Sequence, residues 1–324
     1  MHIIEATVIK HTGSHYLLSR IPEWKPFPAV MRGKVRLQKS DATNPVAVGD
    51  KVLCEVPDNF LPGDPGEEGI INADYPITIT EILPRRNYVI RKSTNLSRQA
   101  HIIASNVDKA FIVVTLAFPE MKLPFLDRLL VTCGMYGIPA VIVLNKIDLL
   151  READAAPSWD QFLKIYTDAG YPVMEVSAKT GEGIEGLRGA LGGVNLLSGF
   201  SGAGKSSLIK ALDPLLNPRT AEISTAHLQG RHTTTFYEMY PLQSGGYIID
   251  TPGIRSFGLL DVTPEETSLY FPEMLKLSPG CRFTPCTHTH EPGCAIKEAV
   301  ENGLISVERY NSYLGMLEEY HKYR

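Results

Sequence analysis

The sequence is short of cysteine, with 5 in 324 residues, and shorter still of tryptophan, with 2. It also lacks any long apolar run. The longest, near Ala110–Phe118, is broken by Thr115 and falls well short of the ~18 residues that cross a bilayer. Met1-His2-Ile3-Ile4-Glu5 lacks the basic-then-apolar layout of a secretory leader. Five cysteines over such a length do not make a disulfide framework. No sign of charge dominates: 32 Lys and Arg stand against 36 Asp and Glu, for a net −4. A chain that is 44% hydrophobic and 21% charged is not disordered throughout. These absences leave a soluble, cytoplasmic chain of two or three domains, with no membrane partner, as the expectation. No heptad pattern or long exposed edge is evident, so a monomer is expected.

The charge that is present is unevenly placed. Two stretches, Lys25 to Lys39 and Arg85 to Arg98, carry five basic residues each and no acid, whereas residues 261–324 hold 10 acidic and 6 basic residues. Any basic face therefore belongs to the N-terminal part. Residues 1–93 read as all-β, with short alternating segments at Thr7–Ile9, His15–Leu18, Lys34–Leu37, Lys51–Val56 and Ile77–Thr80. Turn residues separate them, including Val48-Gly49-Asp50 and the Pro/Gly/acid-rich loop Pro57–Gly69. Several short strands in so few residues suggest a small closed barrel, an OB-fold first and an SH3-like barrel second. Residues 94–260 alternate apolar strands (Phe111–Leu116, Val141–Leu144, Val173–Val176, Asn195–Ser198, Phe236–Tyr240, Tyr247–Ile249) with helical stretches, as a mostly parallel α/β sheet requires. Residues 261–324 read as helical around a Cys-rich loop, with Val307, Tyr310, Leu314 and Leu317 on one helical face.

Gly199-Phe200-Ser201-Gly202-Ala203-Gly204-Lys205-Ser206 fits G-x-x-x-x-G-K-[ST] between a strand and a helix, the context a phosphate-binding loop requires. Its glycines let backbone N–H groups curl around phosphates, and the helix N-terminus adds its dipole. Lys205 would reach the β- and γ-phosphates and Ser206 would ligate Mg²⁺. Asp250-Thr-Pro-Gly253 ends a later strand, where a carboxylate can hold the Mg²⁺ shell and the Gly253 N–H can approach a γ-phosphate. Asn145-Lys146-Ile147-Asp148 and Ser177-Ala178-Lys179 each follow a strand. The Asp148 carboxylate can accept from N1–H and the exocyclic amine of guanine, donors that adenine does not offer there. A P-loop kinase or ATPase is disfavoured for that reason.

The four motifs are those of a guanine-nucleotide-binding domain, in an unusual order: the base-reading pair precedes the phosphate loop. The sequence therefore reads as a circularly permuted GTPase, with the segment after Asp250 leading straight into residues 261–324. Between the phosphate loop and Asp250, Gly230-Arg231-His232-Thr233-Thr234-Thr235 must supply a Mg²⁺-ligating switch threonine. Thr234 is favoured among the three, and His232 either positions the attacking water or only packs. Ile254 stands after Gly253 where a water-orienting polar residue is common, which predicts slow intrinsic hydrolysis. Finally, Cys281-x4-Cys286-x-His288-x5-Cys294 offers three thiolates and an imidazole, a closed tetrahedral set suited to one structural Zn²⁺. His290 is the competing fourth ligand.

This combination resembles the ribosome small subunit-dependent GTPase A family (RsgA-like) over the whole chain: barrel, permuted GTPase order, G-R-H-T-T-T segment and C-x4-C-x-H-x5-C finger. The stretches Asn44–Asp50 and Asn106-Val107-Asp108 are similar to it as well. The resemblance implies a multidomain protein: an OB-fold RNA-binding domain at 1–93, a permuted GTPase domain at 94–260 and a helical zinc-binding domain at 261–324. It implies a GTPase acting in late maturation of the small (30S) ribosomal subunit, with turnover stimulated by that subunit and the barrel on its 16S rRNA. Carried onto this sequence, the GTP-binding residues are Asn145 to Asp148, Ser177 to Lys179 and Gly199 to Ser207. The zinc ligands are Cys281, Cys286, His288 and Cys294, and a switch histidine proposed for hydrolysis falls on His232. The acidic, proline-rich insert near Pro57–Glu68 departs from the pattern. Independently, two acid-free basic stretches on a small barrel suit RNA phosphates, and Trp24, Phe27 and Tyr88 are placed either to stack bases or to pack. An RNA-binding assembly scaffold, with hydrolysis incidental, is the reading from another class.

Overall fold

A computed structural model describes residues 1–12, 15–31, 46–58, 60, 77–92, 100–117, 119–152, 156–216, 237–251 and 263–322. They fall into two compact units. One comprises Met1–Asp108, Leu191–Leu197 and Leu216–Pro252; the other comprises Lys109–Ala190, Ser198–Leu215 and Gly253–Arg324.

The first unit opens with β1 (His2–Thr12), β2 (His15–Ser19), β3 (Pro26–Met31), β4 (Lys51–Val56) and β5 (Thr78–Ile82). β1 runs antiparallel to β2 and to β4, β2 to β3 and β4 to β5, while β3 and β5 are parallel. That circuit closes a five-stranded barrel in OB-fold connectivity. Alternating inward residues fill it, among them Val8, Leu18, Phe27, Val52, Cys54 and Ile79. β3 was not expected from the sequence, because Pro26 and Pro28 argue against a strand. Among the described residues β5 pairs β3 at Val30 and Met31, and Pro26 and Pro28 pair with β2. The expected strand Lys34–Leu37 and most of the acidic loop after Pro57 lie outside the described residues.

β6 (Tyr88–Lys92) and β7 (Ala100–Ser105) form an antiparallel pair that the sequence reading also missed. A buried carboxylate ties this pair to the barrel. Asp50 accepts from Arg85 Nε and Nη2, both at 2.6 Å, from Ser105 Oγ at 2.6 Å and from the Ala47 N–H at 2.8 Å. Gly49 adopts φ +93°, and a Cβ there would collide with the Ser105 carbonyl. The unit is completed by β11 (Val194–Gly199), whose last two residues belong to the other unit, β12 (Glu238–Pro241) and β13 (Tyr247–Asp250); β8 to β10 belong to the second unit. β11 and β13 are parallel, β13 and β12 antiparallel, and β12 meets β1 antiparallel at Lys10 and Glu238. A 2.9 Å ion pair joins that last couple.

In the second unit β8 (Lys109–Val114), β9 (Ala140–Leu144) and β10 (Val173–Glu175) are parallel neighbours in the order 8, 9, 10. Ala110 to Val114 are fully buried, which accounts for their unbroken apolar run. The helices are α1 (Leu123–Met135), α2 (Ile147–Glu152), α3 (Ala156–Asp168), α4 (Ile184–Ala190), α5 (Lys205–Leu212), α6 (Pro264–Thr267), α7 (Pro272–Leu277), α8 (Ala295–Glu301) and α9 (Val307–Lys322). Thr263 and Glu266 cap α6 reciprocally. Phe271, Met274, Ile296, Tyr313 and Leu317 close over Val131 of α1. The buried face of α9 is rotated from the expected one. Arg309, Tyr313, Met316 and Leu317 point inward, whereas Val307 is exposed. Among the described residues no helix is long and apolar enough to cross a membrane.

Candidate nucleotide site and metal cluster

The phosphate loop leaves β11 through glycines that no other residue could replace without strain. Gly199 has φ +147°, with its α-carbon so close to β8 that a Cβ would strike the Val113 carbonyl. Gly204 has φ +93°, and a Cβ there would strike Asn145 Nδ2. Lys205 opens α5, nearly buried, and its ammonium donates to the Gly199 and Phe200 carbonyls at 2.8 and 3.1 Å. The ammonium is therefore held by the first two carbonyls of its own loop. Ser206 is half-buried on the first turn of α5, while Ser201, Gly202 and Ser207 are exposed.

Asn145 joins three loops. Its Nδ2 donates to the Ala203 carbonyl of the phosphate loop at 2.9 Å, and its Oδ1 accepts from the Ala178 N–H at 3.1 Å. Its own N–H donates to Val114 at the end of β8. Only 1% of it is exposed. Lys146, at φ +66°, lays its chain across the same loop and donates to the Gly202 carbonyl at 2.9 Å. Ile147 is buried at the start of α2. Asp148 accepts from Ser177 Oγ at 2.6 Å, and Lys179 stands 3.7 Å from its other oxygen. The fully buried Ser177 also accepts from the Thr180 N–H at 3.1 Å. The carboxylate is thus oriented by the Ser177-Ala178-Lys179 loop. Beyond it, Arg151 and Glu182 pair bidentately at 2.6 Å.

Asp250 ends β13 in the first unit, in register with Leu197. Thr251 beside it is buried and donates to the Leu197 carbonyl at 2.8 Å. Gly253, Ile254 and the segment Gly230–Thr235, with His232, Thr233, Thr234 and Thr235, lie outside the described residues. A Ser hydroxyl and an Asp carboxylate are hard oxygen donors, the kind Mg²⁺ takes.

Cys281, Cys286, His288 and Cys294 converge, with all four ligand atoms within 4.8 Å of one another. His288 Nδ1 lies 3.4 Å from Cys294 Sγ and 3.6 Å from Cys281 Sγ, and those two sulfurs are 4.0 Å apart. Tetrahedral zinc with its usual bond lengths requires about 3.6 Å between nitrogen and sulfur and about 3.8 Å between sulfurs. The donors fit. His290 is exposed and bonds Thr289 instead, so His288 completes the cluster. Glu291 braces the loop. It accepts from the Thr287 N–H and hydroxyl at 2.7 and 2.6 Å and from the Thr289 N–H at 3.0 Å. Burial alone would raise its carboxyl, but the Thr287 and backbone bonds prevail and hold it at about 2. Cys54 and Cys133, by contrast, are single buried thiols pushed up to about 12 by desolvation.

Of the residues expected to stack bases, Phe27 lies in the barrel core, edge-on to Phe60 at 5.1 Å. Trp24 stacks on Tyr247 at 5.4 Å, and Tyr88 is exposed. Two cations of the second basic stretch are engaged internally, Arg85 with Asp50 and Arg86 with Asp108 at 2.6 Å. The sequence reading missed one further site altogether. Arg309, 1% exposed, donates to Asp127 Oδ1 at 2.6 Å and to Glu273 at 2.7 and 3.1 Å. Its signal was there: Asp127 interrupts the apolar face of Leu126, Leu129 and Leu130, where an acid needs a partner.

Residues 82–260 match the RsgA GTPase family. The small ribosomal subunit biogenesis GTPase RsgA of Bacteroides fragilis is 45% identical over 317 residues, covering 98% of this chain and 97% of its own. The chain belongs to the RsgA GTPase family. The Porphyromonas gingivalis member is equally similar, 45% over 320 residues with the same coverage. Among solved structures, YjeQ from Thermotoga maritima matches with a TM-score of 0.75 and 31% identity over 98% of both chains. YloQ, described as a circularly permuted GTPase, matches with a TM-score of 0.72 and 26% identity over 100% of this chain and 96% of that one. The family's permuted order is the one found here, with Asn145–Asp148 and Ser177–Lys179 ahead of the phosphate loop.

Proposed function

We propose that this chain is a GTPase of small ribosomal subunit biogenesis that uses GTP binding and hydrolysis as a switch in late maturation of the subunit. The observation that carries the reading is Asn145, whose buried amide joins both base-reading motifs to the phosphate loop. Base and phosphates are thereby read by one rigid assembly. Asp148 accepts from guanine, Gly199 to Ser207 cradle the phosphates, and Lys205 turns from its loop carbonyls to the β- and γ-oxygens. Ser206, Asp250 and Thr234 hold Mg²⁺, with Gly253 against the γ-phosphate, and His232 orients the attacking water. Bound Mg²⁺ supplies charge neutralisation on the transferring phosphoryl group. The cluster Cys281, Cys286, His288 and Cys294 holds one structural Zn²⁺. The functional divisions are 1–93 for 16S rRNA, with Lys25 and Tyr88 exposed, 94–260 for GTP and GDP, and 261–324 for zinc. The protein acts as a cytoplasmic monomer.

The test is turnover of GTP, and of ATP alongside, by the purified chain with and without purified small subunits. GTP preference and strong stimulation by the subunit are expected. Tight GTP binding without stimulation would replace the switch by an assembly scaffold, and equal use of ATP would remove the reading.

A further inference from the structure

The first two turns of helix α9 touch two parts of its unit. Toward the metal cluster, Tyr310 and Tyr313 donate their hydroxyls to the backbone carbonyls of His288 and Thr287, at 2.6 and 2.7 Å. The ligand-bearing loop thus hangs from α9. Toward the nucleotide, the preceding Arg309 clamps Asp127 on α1 and Glu273 on α7. Phe271 lies 4.5 Å beneath the guanidinium, and Tyr166 and Tyr171 flank it at 5.7 and 5.4 Å. Tyr166 also donates to Asp127 at 2.9 Å.

The helix that Arg309 grips bears directly on the phosphate loop. Phe125, two residues before Asp127, meets Phe200 edge-on at 5.6 Å. The loop leading into α1 lies against Gly202, where a Cβ would come within 3.2 Å of Pro119. A continuous run of packed and hydrogen-bonded groups therefore leads from the metal loop through α9 and α1 to the phosphate loop. A buried triad of this kind is no guarantee of stability, since apolar residues of similar volume often serve as well. Its directional bonds, however, tie α9 to α1 and α7 at defined atoms.

We propose that Arg309 is a positioning residue through which the metal-bearing C-terminal segment sets the phosphate loop, so that metal and GTP bind with positive coupling. The inference rests on the GTP and zinc readings above. Contiguity alone does not demonstrate coupling; linkage does. If zinc favours the loop geometry that GTP selects, GTP must tighten zinc by the same factor.

The experiment is competition for zinc between the full chain and a chromophoric chelator, with and without a saturating non-hydrolysable GTP analogue. In the unmodified chain the analogue is expected to tighten zinc about 5-fold or more, the lower range of measured couplings. In Arg309→Met the shift should fall below about twofold, and Arg309→Lys should restore part of it. Should Arg309→Met fail to fold, the Tyr310→Phe/Tyr313→Phe double variant keeps both rings in the core and removes only the hydroxyl bonds; it should lose the shift equally. An unmodified chain that binds both ligands with no shift overturns the inference alone. So does a folded Arg309→Met, or the double variant, that keeps the full shift. A chain that binds no analogue, or no zinc, overturns the underlying readings and this one with them.

Discussion

Replacing Asn145 tests whether the base-reading and phosphate-reading loops act as one body. Asn145→Ala deletes two hydrogen bonds, from Nδ2 to the Ala203 carbonyl and from the Ala178 N–H to Oδ1. Each bond contributes about 0.5–1.5 kcal/mol net, and a buried group left without a partner costs about 1–3 kcal/mol. Ala203 is 1% exposed, so its carbonyl bears that cost, whereas the half-buried Ala178 recovers part of it from water. The total is about 2–4 kcal/mol. In the free protein the loops relax and recover some of this; on binding GTP they must be realigned, and the loss then appears in affinity. At 1.4 kcal/mol per decade, a loss of about 2 kcal/mol predicts a Kd for GTP weakened about 30-fold. Asn145→Asp keeps the acceptor for Ala178 but turns a carboxylate oxygen toward the Ala203 carbonyl, so it should bind GTP no better than the alanine variant. Titration with a fluorescent GTP analogue, alongside thermal melts, measures both terms. Affinities within threefold of the unmodified chain, with melting unchanged, would refute the argument that one side chain holds the loops together.

Other expectations follow from the same geometry. Asp148→Asn places an N–H where guanine itself donates, so GTP affinity should drop about 100-fold or more while xanthosine triphosphate gains; competition between the two nucleotides reads it, and an unchanged preference would show that Asp148 does not read the base. Asp50→Ala removes the carboxylate that Arg85, Ser105 and the Ala47 N–H share and should cost about 2–4 kcal/mol, measured by chemical denaturation; a loss under 1 kcal/mol would show that the carboxylate does not hold the seam between the barrel and β6–β7. Burial pushes the Cys286 thiol up to about 12, so that ligand is protonated at neutral pH and the metal must displace its proton. Zinc affinity should therefore rise with pH between 6 and 8; a flat or falling profile in chelator competition would contradict protonated-thiol ligation.

The loops at Gly199–Ser206, Asn145–Asp148 and Ser177–Lys179 stood out in the sequence because phosphate and base recognition would dictate residue type at fixed spacing, and the strand and helix expected on either side of G-x-x-x-x-G-K-S are both present. The barrel was legible in kind but not in detail. β3 hides behind two prolines whose cost depends on which strand edge they face, and this pairing is not encoded locally. The pair β6–β7 was obscured because Arg85 and Arg86 counted as surface charge, although both have acidic partners at long sequence separation. The rotation of α9 has the same origin. An arginine on an otherwise apolar face reads as solvent-facing until Asp127 and Glu273, on other helices, are seen to meet it. Apart from β3, what escaped the sequence is a polar group satisfied by a distant one.

The pairing of β1 with β12 bears on how the chain comes to be made. Lys10 emerges from the ribosome early, and its partner Glu238 follows about 230 residues later, which at typical synthesis rates is roughly 10–50 s. During that interval the barrel can close through β2 and β4, yet one stretch of β1 waits with its outer edge unpaired, a surface on which other nascent strands could add. A fragment ending near residue 93 would carry that waiting edge permanently.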